Sequence, residues 1–346
     1  MEIFADFDLT PCNTFAVASR ARAFCTVREQ ADLLQALAYA VEQDLPLLVL
    51  GGGSNVLFID DYPGLVVHMA MPGIERLEQD DNRVLLQVGA GENWHNLVMW
   101  CLRKGFYGIE NLALIPGTVG AAPIQNIGAY GVELATVFAC LTALEANSGE
   151  FWTFQRDDCQ FGYRDSVFKH GRPGELIITT VTLQLSLAPV PVTDYRTLHE
   201  ELERRHGDSV PSPQQVADAV IAIRQSKLPD PARLPNCGSF FKNPVIDQAT
   251  FQTLSARYDR IPVFPVPDQP GQIKIPAAWL LDQAGWKGRR QGAAGVHREQ
   301  AVVLVNHGGA SGAELLALAR DMQAAVLDRF GIALEPEVRI VQGSGG

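Results

Sequence analysis

Two glycine-rich loops constrain this chain more than any other feature of its sequence. GGGSN at 51–55 lies between the apolar runs LLVL and VLFI, and IPGTVGAAPIQNIGAYG at 115–131 contains no charged residue. Glycine reaches positive φ and allows close approach to the backbone, so glycine N–H groups can fold around a phosphate. GGGSN alone favours a plain tight turn, but two such loops can clamp opposite sides of an extended pyrophosphate. Glycines that only permit tight packing of loops against a sheet are the alternative.

Neither loop is a standard nucleotide-binding motif. Val56 occupies the final glycine position of a G-x-G-x-x-G pattern, and no G-K-[ST] sequence occurs. A Rossmann fingerprint and a P-loop are therefore both excluded.

The hydrophobic periodicity predicts an α+β protein of two or three packed units, a number that suits a chain of 346 residues. Residues 28–44 predict an amphipathic helix whose apolar face carries Leu33, Leu34, Leu37, Ala38 and Val41. GGGSN with its flanking runs predicts strand, glycine turn and strand, and 132–192 is richest in strand signals. Further helices are predicted at about 93–104, 197–206, 213–225, 248–257, 276–284 and 312–330, with strands at AVVLVN and ALEPEVRIV.

Charge and cysteine content exclude several classes of protein. The formal net charge is −11 and the sequence pI is near 5.1, which disfavours a nucleic-acid surface but allows an anionic small ligand where Arg164, Lys227 and Lys242 converge. The six cysteines form no C-x-x-C pair, which favours reduced thiols. The sequence has no signal-peptide pattern and no apolar run of membrane-spanning length. We expect a cytoplasmic monomer that does not bind membranes.

The stretch LPNCGSFFKNP raises the question of what Ser239 does. A G-x-S-x-G elbow is missing, and Phe240 replaces the second cysteine of a cathepsin-like motif, so acyl transfer is disfavoured. The seven histidines show no H-E-x-x-H spacing, so no metal site is predicted, and His297 is interpreted as a packed side chain.

Two further segments carry charges that suit a binding site. In FGYRDSVFK, Arg164 and Lys169 lie beside aromatic residues, although a local Arg164–Asp165 surface pair is the commoner arrangement. In LEPEVRI, the alternation of residues predicts Glu335, Glu337 and Arg339 on one face of a strand. Such a face is usually a solvated sheet edge, and its charges have a functional role only if the face lines a cleft.

GGGSNVLF, IPGTVGAAPIQNIGAYG, FGYRDSVFK, KLPDP, GSFFKNP and LEPEVR occur in this order, and together they resemble the UDP-N-acetylenolpyruvoylglucosamine reductase (MurB) family over nearly the whole chain. The IGAYGVEL segment is similar to its type I group. The resemblance implies a noncovalent FAD in a domain of the PCMH/vanillyl-alcohol-oxidase type, with two α/β lobes, and a smaller α+β substrate domain. We expect lobe 1 at 1–72, lobe 2 at 73–212, the substrate domain at 213–333 and a C-terminal strand at 334–346. The prolines of KLPDPARLP place a domain boundary in that neighbourhood.

The same resemblance implies the reaction and its residues. NADPH reduces the flavin, and an enolpyruvyl UDP-sugar then receives the hydride to give UDP-N-acetylmuramate for peptidoglycan synthesis. Ser239 is expected to donate the proton, beside Arg164 and Glu337. The residues expected to face the UDP-sugar are Tyr130, Tyr195, Lys227, Asn243, Lys287 and Gln300. Those matching flavin-side positions are Gly51, Gly53, Ser54, Asn55, Pro116, Gly117, Asn126, Gly128 and Arg224.

The chemistry fits these residue types. Hydride addition to the β-carbon leaves negative charge on the α-carbon and the carboxylate, where Arg164 stabilises it and a hydroxyl can supply the proton. An ionised Glu337 beside an enolate is repulsive, so we expect it to be protonated or paired with a cation. The alternatives are another FAD-dependent oxidase of the same fold and a noncatalytic protein that binds sugar nucleotides.

Overall fold

The computed structural model describes residues 1–170, 174–266 and 269–343. Residues 171–173, 267–268 and 344–346, which belong to the predicted second lobe, substrate domain and C-terminal strand respectively, lie outside the described residues. The described part mixes helices with several small and medium sheets, which confirms the predicted α+β class.

The N-terminal region forms one four-stranded sheet. Its elements are β1 (Ile3–Asp8), β2 (Arg20–Val27), α1 (Gln30–Glu42), β3 (Leu47–Leu50), β4 (Val56–Phe58) and β5 (Tyr62–Met69). The strand order is β1-β2-β5-β3, with β1 antiparallel to β2 and the other two pairs parallel. Strand β3, the GGGSN turn and strand β4 follow one another, so the predicted strand, turn and strand are confirmed. Strand β4 does not pair with this sheet.

The apolar face predicted for α1 was partly wrong. The helix buries Leu33, Ala36 and Ala40 against the sheet, whereas Leu34 is 43% and Val41 81% exposed. Alanines at helical spacing give a flat face that lets the helix approach the sheet closely, and the larger side chains lie beside it.

The middle region is organised around a five-stranded antiparallel sheet of order β11-β10-β12-β7-β6. Its elements are β6 (Ile74–Gln79), β7 (Arg83–Gly89), α2 (Trp94–Lys104), β8 (Gly128–Ala129), β9 (Val132–Glu133), β10 (Phe138–Glu145), β11 (Glu150–Gln155), α3 (Val167–His170), β12 (Leu176–Ser186), α4 (Arg196–His206) and α5 (Pro213–Lys227). Helix α2 begins at the Asn93 cap, which accepts the Asn96 N–H, and ends at Gly105 in the left-handed conformation.

Helix α5 bears on the predicted domain boundary. Ser212 and Gln215 form a capping box at its start, and Pro213 occupies its first position, which is where the sequence predicts the helix to begin. Its buried face, which includes Val216, Val220 and Ile223, packs into the same core as α2 and the antiparallel sheet. A division before residue 213 would cut this core, so we place the boundary after Lys227 as a proposal.

The C-terminal region packs two small sheets against helices. Its elements are β13 (Val245–Asp247), α6 (Gln248–Ser255), β14 (Phe264–Pro265), β15 (Gln272–Lys274), α7 (Ala277–Gln283), β16 (Arg290–Gln291), β17 (Ala294–Val296), β18 (Leu304–Asn306), α8 (Gly312–Phe330) and β19 (Arg339–Val341). The sheets have the orders β13-β15-β14 and β16-β17-β18. Phe15, Val17 and Leu57 from the N-terminal region enter this core, so the two ends of the chain share one interior.

The C-terminal segment returns to the first glycine loop. Strand β19 pairs in parallel with β4, which follows GGGSN directly. The strand predicted over 333–341 was too long, because regular pairing begins only at Arg339 and Pro336 has no N–H to donate. Glu335 and Glu337 consequently do not share one solvated face, since the Glu335 side chain is 68% exposed and that of Glu337 only 15%.

All six cysteines are free thiols, as the sequence predicts, and four of them are buried. Among the described residues, no helix has both the length and the apolar composition needed to cross a membrane.

Candidate functional site

The two glycine-rich loops meet at the junction of the N-terminal and middle regions. A Cβ atom on Gly52 would lie 3.1 Å from Gly117 Cα, and one on Gly51 would lie 2.5 Å from Thr118 Oγ1. Gly117 has a φ of +109°, and a Cβ there would lie 3.1 Å from Ser54 Oγ. Side chains would therefore separate the loops, and glycine is what allows two backbones to form one cradle.

Gly53 is the most tightly constrained residue of this cradle. Its φ is +61°, and a Cβ there would lie 1.9 Å from the carbonyl oxygen of Cys12. Its own carbonyl accepts the Thr14 N–H at 3.0 Å, while the buried Thr14 hydroxyl has no hydrogen-bond partner among the residues described. The cradle presents backbone groups and an unused hydroxyl, a donor set that suits the pyrophosphate of a dinucleotide.

Arg224, in the last turn of α5, adds a buried cation near the second loop. Its Nε donates to the Leu114 carbonyl at 3.3 Å, and burial lowers its pKa. Within the described part of the chain it forms no ion pair. A buried unpaired guanidinium together with the glycine cradle fits an anionic cofactor such as FAD.

Arg164 is held in place from two directions. Its Nη2 donates to the Gly128 carbonyl at 2.5 Å, and its Nε lies 3.1 Å from Glu337 Oε1. A Cβ on Gly128 would lie 3.0 Å from Arg164 Nη1, so a larger residue would displace the guanidinium. Arg164 itself is a non-glycine residue with a φ of +54°, a conformation that is rare outside functional sites and turns.

Glu337 connects the C-terminal segment to the first loop and to the Ser239 segment. Its N–H donates to the Phe240 carbonyl at 2.8 Å, and its carbonyl accepts from Asn55 Nδ2 at 3.2 Å. Burial raises the pKa of its carboxyl, and the cations of Arg164, Lys169 and Lys242 offset part of that rise. The carboxyl is thus paired with the Arg164 cation, one of the two arrangements expected from the sequence.

Ser239 is exposed and lies on a segment that is fixed on both sides. Gly238, at a φ of +75°, donates its N–H to Asn236 Oδ1 at 2.9 Å, and Phe240 donates its N–H to the Val302 carbonyl at 2.9 Å. Cys237 is buried, and its burial together with the Glu337 carboxylate raises the pKa of its thiol. The Ser239 segment therefore lies beside the Arg164–Glu337 pair, with an accessible hydroxyl.

Two lysines complete the charged cluster. Lys169 Nζ donates to the Arg164 carbonyl at 3.1 Å, and Lys242 Nζ lies 2.8 Å from Glu335 Oε1. Burial and the neighbouring Lys242 cation lower the pKa of Lys169. The charges of Arg164 and Lys242 both act on the Glu337 carboxyl, whereas no described contact joins Lys227 to either of them.

The residues expected to face the UDP-sugar fall into two groups. Tyr130 and Tyr195 pack edge to face with ring centroids 5.5 Å apart, and Tyr195 stacks on Phe264 at 5.9 Å. Lys227 ends α5, half-buried, and burial lowers its pKa. The three rings form one aromatic wall near Arg224, whose charge acts on Tyr130, and no described contact joins Lys227 to it.

The second group lies on the C-terminal region. Asn243 Oδ1 accepts the Ala277 N–H at the start of α7, at 2.9 Å, and the Asn243 side chain and backbone N–H are also hydrogen-bonded to the Tyr163 hydroxyl. Lys287 pairs with Asp282 at 2.7 Å, and Gln300 lies two residues before Val302. No contact in the described residues joins Lys287 or Gln300 to Arg164 or Glu337, so their substrate roles stay predictions.

The residues that match flavin-side positions differ in exposure and in how many of their polar groups are already hydrogen-bonded. Pro116 is exposed, whereas Asn126 is buried and its amide bonds Glu133 Oε2, the Gly162 carbonyl and the Ala135 N–H. Asn126 therefore shapes the second loop from behind, and its contact with a cofactor stays a prediction.

Sequence reasoning missed two side chains at this site. Lys274 Nζ lies 4.2 Å from the centroid of the Tyr163 ring, and burial and the Arg164 cation lower its pKa. Gln125 Oε1 accepts from Asn55 Nδ2 at 3.2 Å and so bridges the two loops. A lone lysine between Ile273 and Ile275 was the available signal for Lys274, whereas nothing in the sequence distinguishes Gln125.

Comparisons with known proteins agree with this geometry. A family model described as "UDP-N-acetylenolpyruvoylglucosamine reductase, C-terminal domain" matches residues 230–341, and one described as "FAD binding domain" matches residues 21–150. Proteins named UDP-N-acetylenolpyruvoylglucosamine reductase from Amoebophilus asiaticus and Chromobacterium violaceum are 49% and 48% identical over 342 residues. The match covers 99% of this chain in both cases, and 100% and 99% of those proteins. The crystal structure of the Thermus caldophilus protein of that name superposes with a TM-score of 0.66 at 26% identity, covering 98% of each chain.

Proposed function

Because this chain belongs to the UDP-N-acetylenolpyruvoylglucosamine reductase family, we propose that it reduces an enolpyruvyl UDP-N-acetylglucosamine to UDP-N-acetylmuramate with NADPH. This reaction supplies a precursor of peptidoglycan. When bound, FAD would supply the hydride chemistry that links NADPH to the β-carbon of the enolpyruvyl group. The glycine cradle, with Asn55, Gly117 and Arg224, is the proposed binding site for FAD.

The observation that carries this proposal is the Arg164–Glu337 pair, 3.1 Å apart, at the junction of both glycine loops and the Ser239 segment. Negative charge grows on the substrate carboxylate as the β-carbon gains hydride. A guanidinium that is already oriented by Glu337 and Gly128 stabilises that charge without reorganising during the step.

Ser239 is the proposed proton donor to the α-carbon. Its hydroxyl is accessible, and it needs no charge to donate. Glu337 holds Arg164 and balances its charge, and Lys169 supports the backbone of Arg164 from the other side.

Tyr130 and Tyr195 are proposed to contact the UDP-sugar because they form one aromatic wall, and Lys227 is proposed to contact it as a half-buried cation at the end of α5. Asn243, Lys287 and Gln300 are proposed to contact it from the C-terminal region. The six free thiols support a reducing, cytoplasmic compartment. A monomer stays an expectation that sedimentation would test.

The test uses purified protein and separate substrates. We expect a yellow protein that oxidises NADPH steadily only when the enolpyruvyl sugar nucleotide is present. Protein that stays colourless after FAD addition would reject both this function and a flavin oxidase. Turnover with oxygen and an alcohol would select the oxidase instead.

A further inference from the structure

The second glycine loop is fastened to the start of α2 by a short ladder of hydrogen bonds. Its rungs are Gly120 N–H to Ala90 O (2.9 Å), Val119 N–H to Glu92 O (2.8 Å), Trp94 N–H to Gly117 O (3.1 Å) and Trp94 Nε1–H to Leu112 O (3.0 Å). The ladder does not continue with main-chain groups beyond Trp94, because α2 begins there and the backbone follows the helix axis.

The main-chain groups of Leu114, which lies between Leu112 and Gly117 in this ladder, are bonded by side chains. It is a non-glycine residue with a φ of +58°, two residues before Pro116. Its N–H donates to His95 Nδ1 at 3.1 Å, and its carbonyl accepts from Arg224 Nε at 3.3 Å. Side chains from α2 and α5 therefore bond both the N–H and the carbonyl of a residue in a strained conformation.

The hydrogen bond requires His95 to be neutral, because a protonated imidazole has no acceptor. Burial and the Arg224 cation lower the pKa of His95. His95 is also the second residue of α2, where the helix dipole disfavours a positive charge. Glu110, on the turn that packs against α2 and α5, accepts the Gly108 N–H at 2.7 Å. Glu92 accepts the Gly73 N–H at 2.8 Å.

We propose that neutral His95 is a positioning residue that holds Leu114 in its left-handed conformation, so that the Pro116–Gly117 turn keeps the shape that binds FAD. The inference rests on the proposed function, because it assigns this turn to the FAD site. A loop released by loss of the hydrogen bond must be ordered again when FAD binds, which weakens affinity.

The proposal predicts how FAD affinity depends on pH. The apoprotein is titrated with FAD from about pH 5 to about pH 8, the span across which histidine changes charge, and flavin fluorescence reports binding. In the wild type, affinity falls about tenfold toward the acid end, as expected for loss of one hydrogen bond to a buried N–H. His95→Asn keeps an oxygen acceptor near the position of Nδ1 but does not titrate, so its affinity stays high and varies less with pH. His95→Leu binds about tenfold more weakly at all pH values.

His68→Asn is the matched control. His68 is half-buried in β5, and burial and the Arg28 cation lower its pKa too. This variant should follow the wild type. The same pH dependence in His95→Asn as in the wild type, or wild-type affinity in His95→Leu, would overturn the inference while the proposed function stands. Failure of the wild type to bind FAD at any pH would overturn both.

Discussion

Replacing Arg164 by lysine tests whether the geometry of the guanidinium, and not only its charge, serves the reaction. Arg164 uses Nε on Glu337 and Nη2 on Gly128 at the same time, which leaves Nη1 for the substrate. A lysine ammonium is a single point and cannot occupy these three positions together. Both residues tolerate the local φ of +54° equally, so the substitution changes the head group and leaves the backbone preference unchanged.

The magnitude follows from the loss of one preorganised donor, about 3–4 kcal/mol, which corresponds to about a hundredfold to thousandfold in rate. This loss applies only to the step in which charge grows on the substrate. Stopped-flow absorbance of the bound flavin measures the two half-reactions separately. We expect near-normal reduction by NADPH and reoxidation by the enolpyruvyl sugar nucleotide slowed by that factor.

Arg204→Lys is the control, because Arg204 forms a solvent-exposed pair with Glu201 and its side chain is 66% exposed. Exposed pairs contribute at most about 1 kcal/mol, so this variant should behave as wild type in both half-reactions. An Arg164→Lys enzyme with unchanged reoxidation, or with both half-reactions slowed equally, would refute the reasoning.

Two further predictions concern stability. Burial raises the pKa of the Glu337 carboxyl, so the native state holds the carboxyl proton more tightly than the unfolded state does. The contribution of this difference to the free energy of unfolding is present in full below the unfolded-state pKa and is lost as the pH rises through the native-state pKa. Urea unfolding should therefore show Glu337→Gln gaining stability relative to wild type between about pH 4 and about pH 8, and a relative loss over that range would contradict the assignment. Gly53→Ala should lower stability by more than about 2 kcal/mol and abolish tight FAD binding, because its Cβ would meet the Cys12 carbonyl at 1.9 Å. Gly331→Ala is the control, because Gly331 has a φ of +69° and no atom lies within 4 Å of the added Cβ, so only backbone strain is expected. Equal losses of stability in the two variants would remove the steric argument.

Local patterns predicted most of the elements. The helix predicted at 312–330 matches α8, and the helix predicted to begin at residue 213 matches the start of α5. These features depend on residues close together in the chain, where periodicity and cap chemistry are informative. The apolar face of α1 was misjudged because only the sheet beneath it decides whether alanine or leucine faces inward.

The site was predictable in its residue types but not in its connections. The motifs containing Arg164, Ser239 and Glu337 were identified as one constellation through resemblance to a known family. Their contacts depend on tertiary pairing, since the Asn55–Glu337 hydrogen bond joins residues 282 positions apart. Lys274 and Gln125 escaped attention for the same reason, because each acquires its role only from neighbours that are distant in the chain.

The most direct test of the account is the pair of half-reactions in Ser239→Ala. If the hydroxyl supplies the proton to the α-carbon, bound FAD should be reduced by NADPH at the wild-type rate. Its reoxidation by the enolpyruvyl sugar nucleotide should then slow by about two orders of magnitude or more, the contribution typical of a positioned acid. Wild-type reoxidation in this variant would show that another group delivers the proton, and equal slowing of both half-reactions would show that Ser239 only maintains the structure.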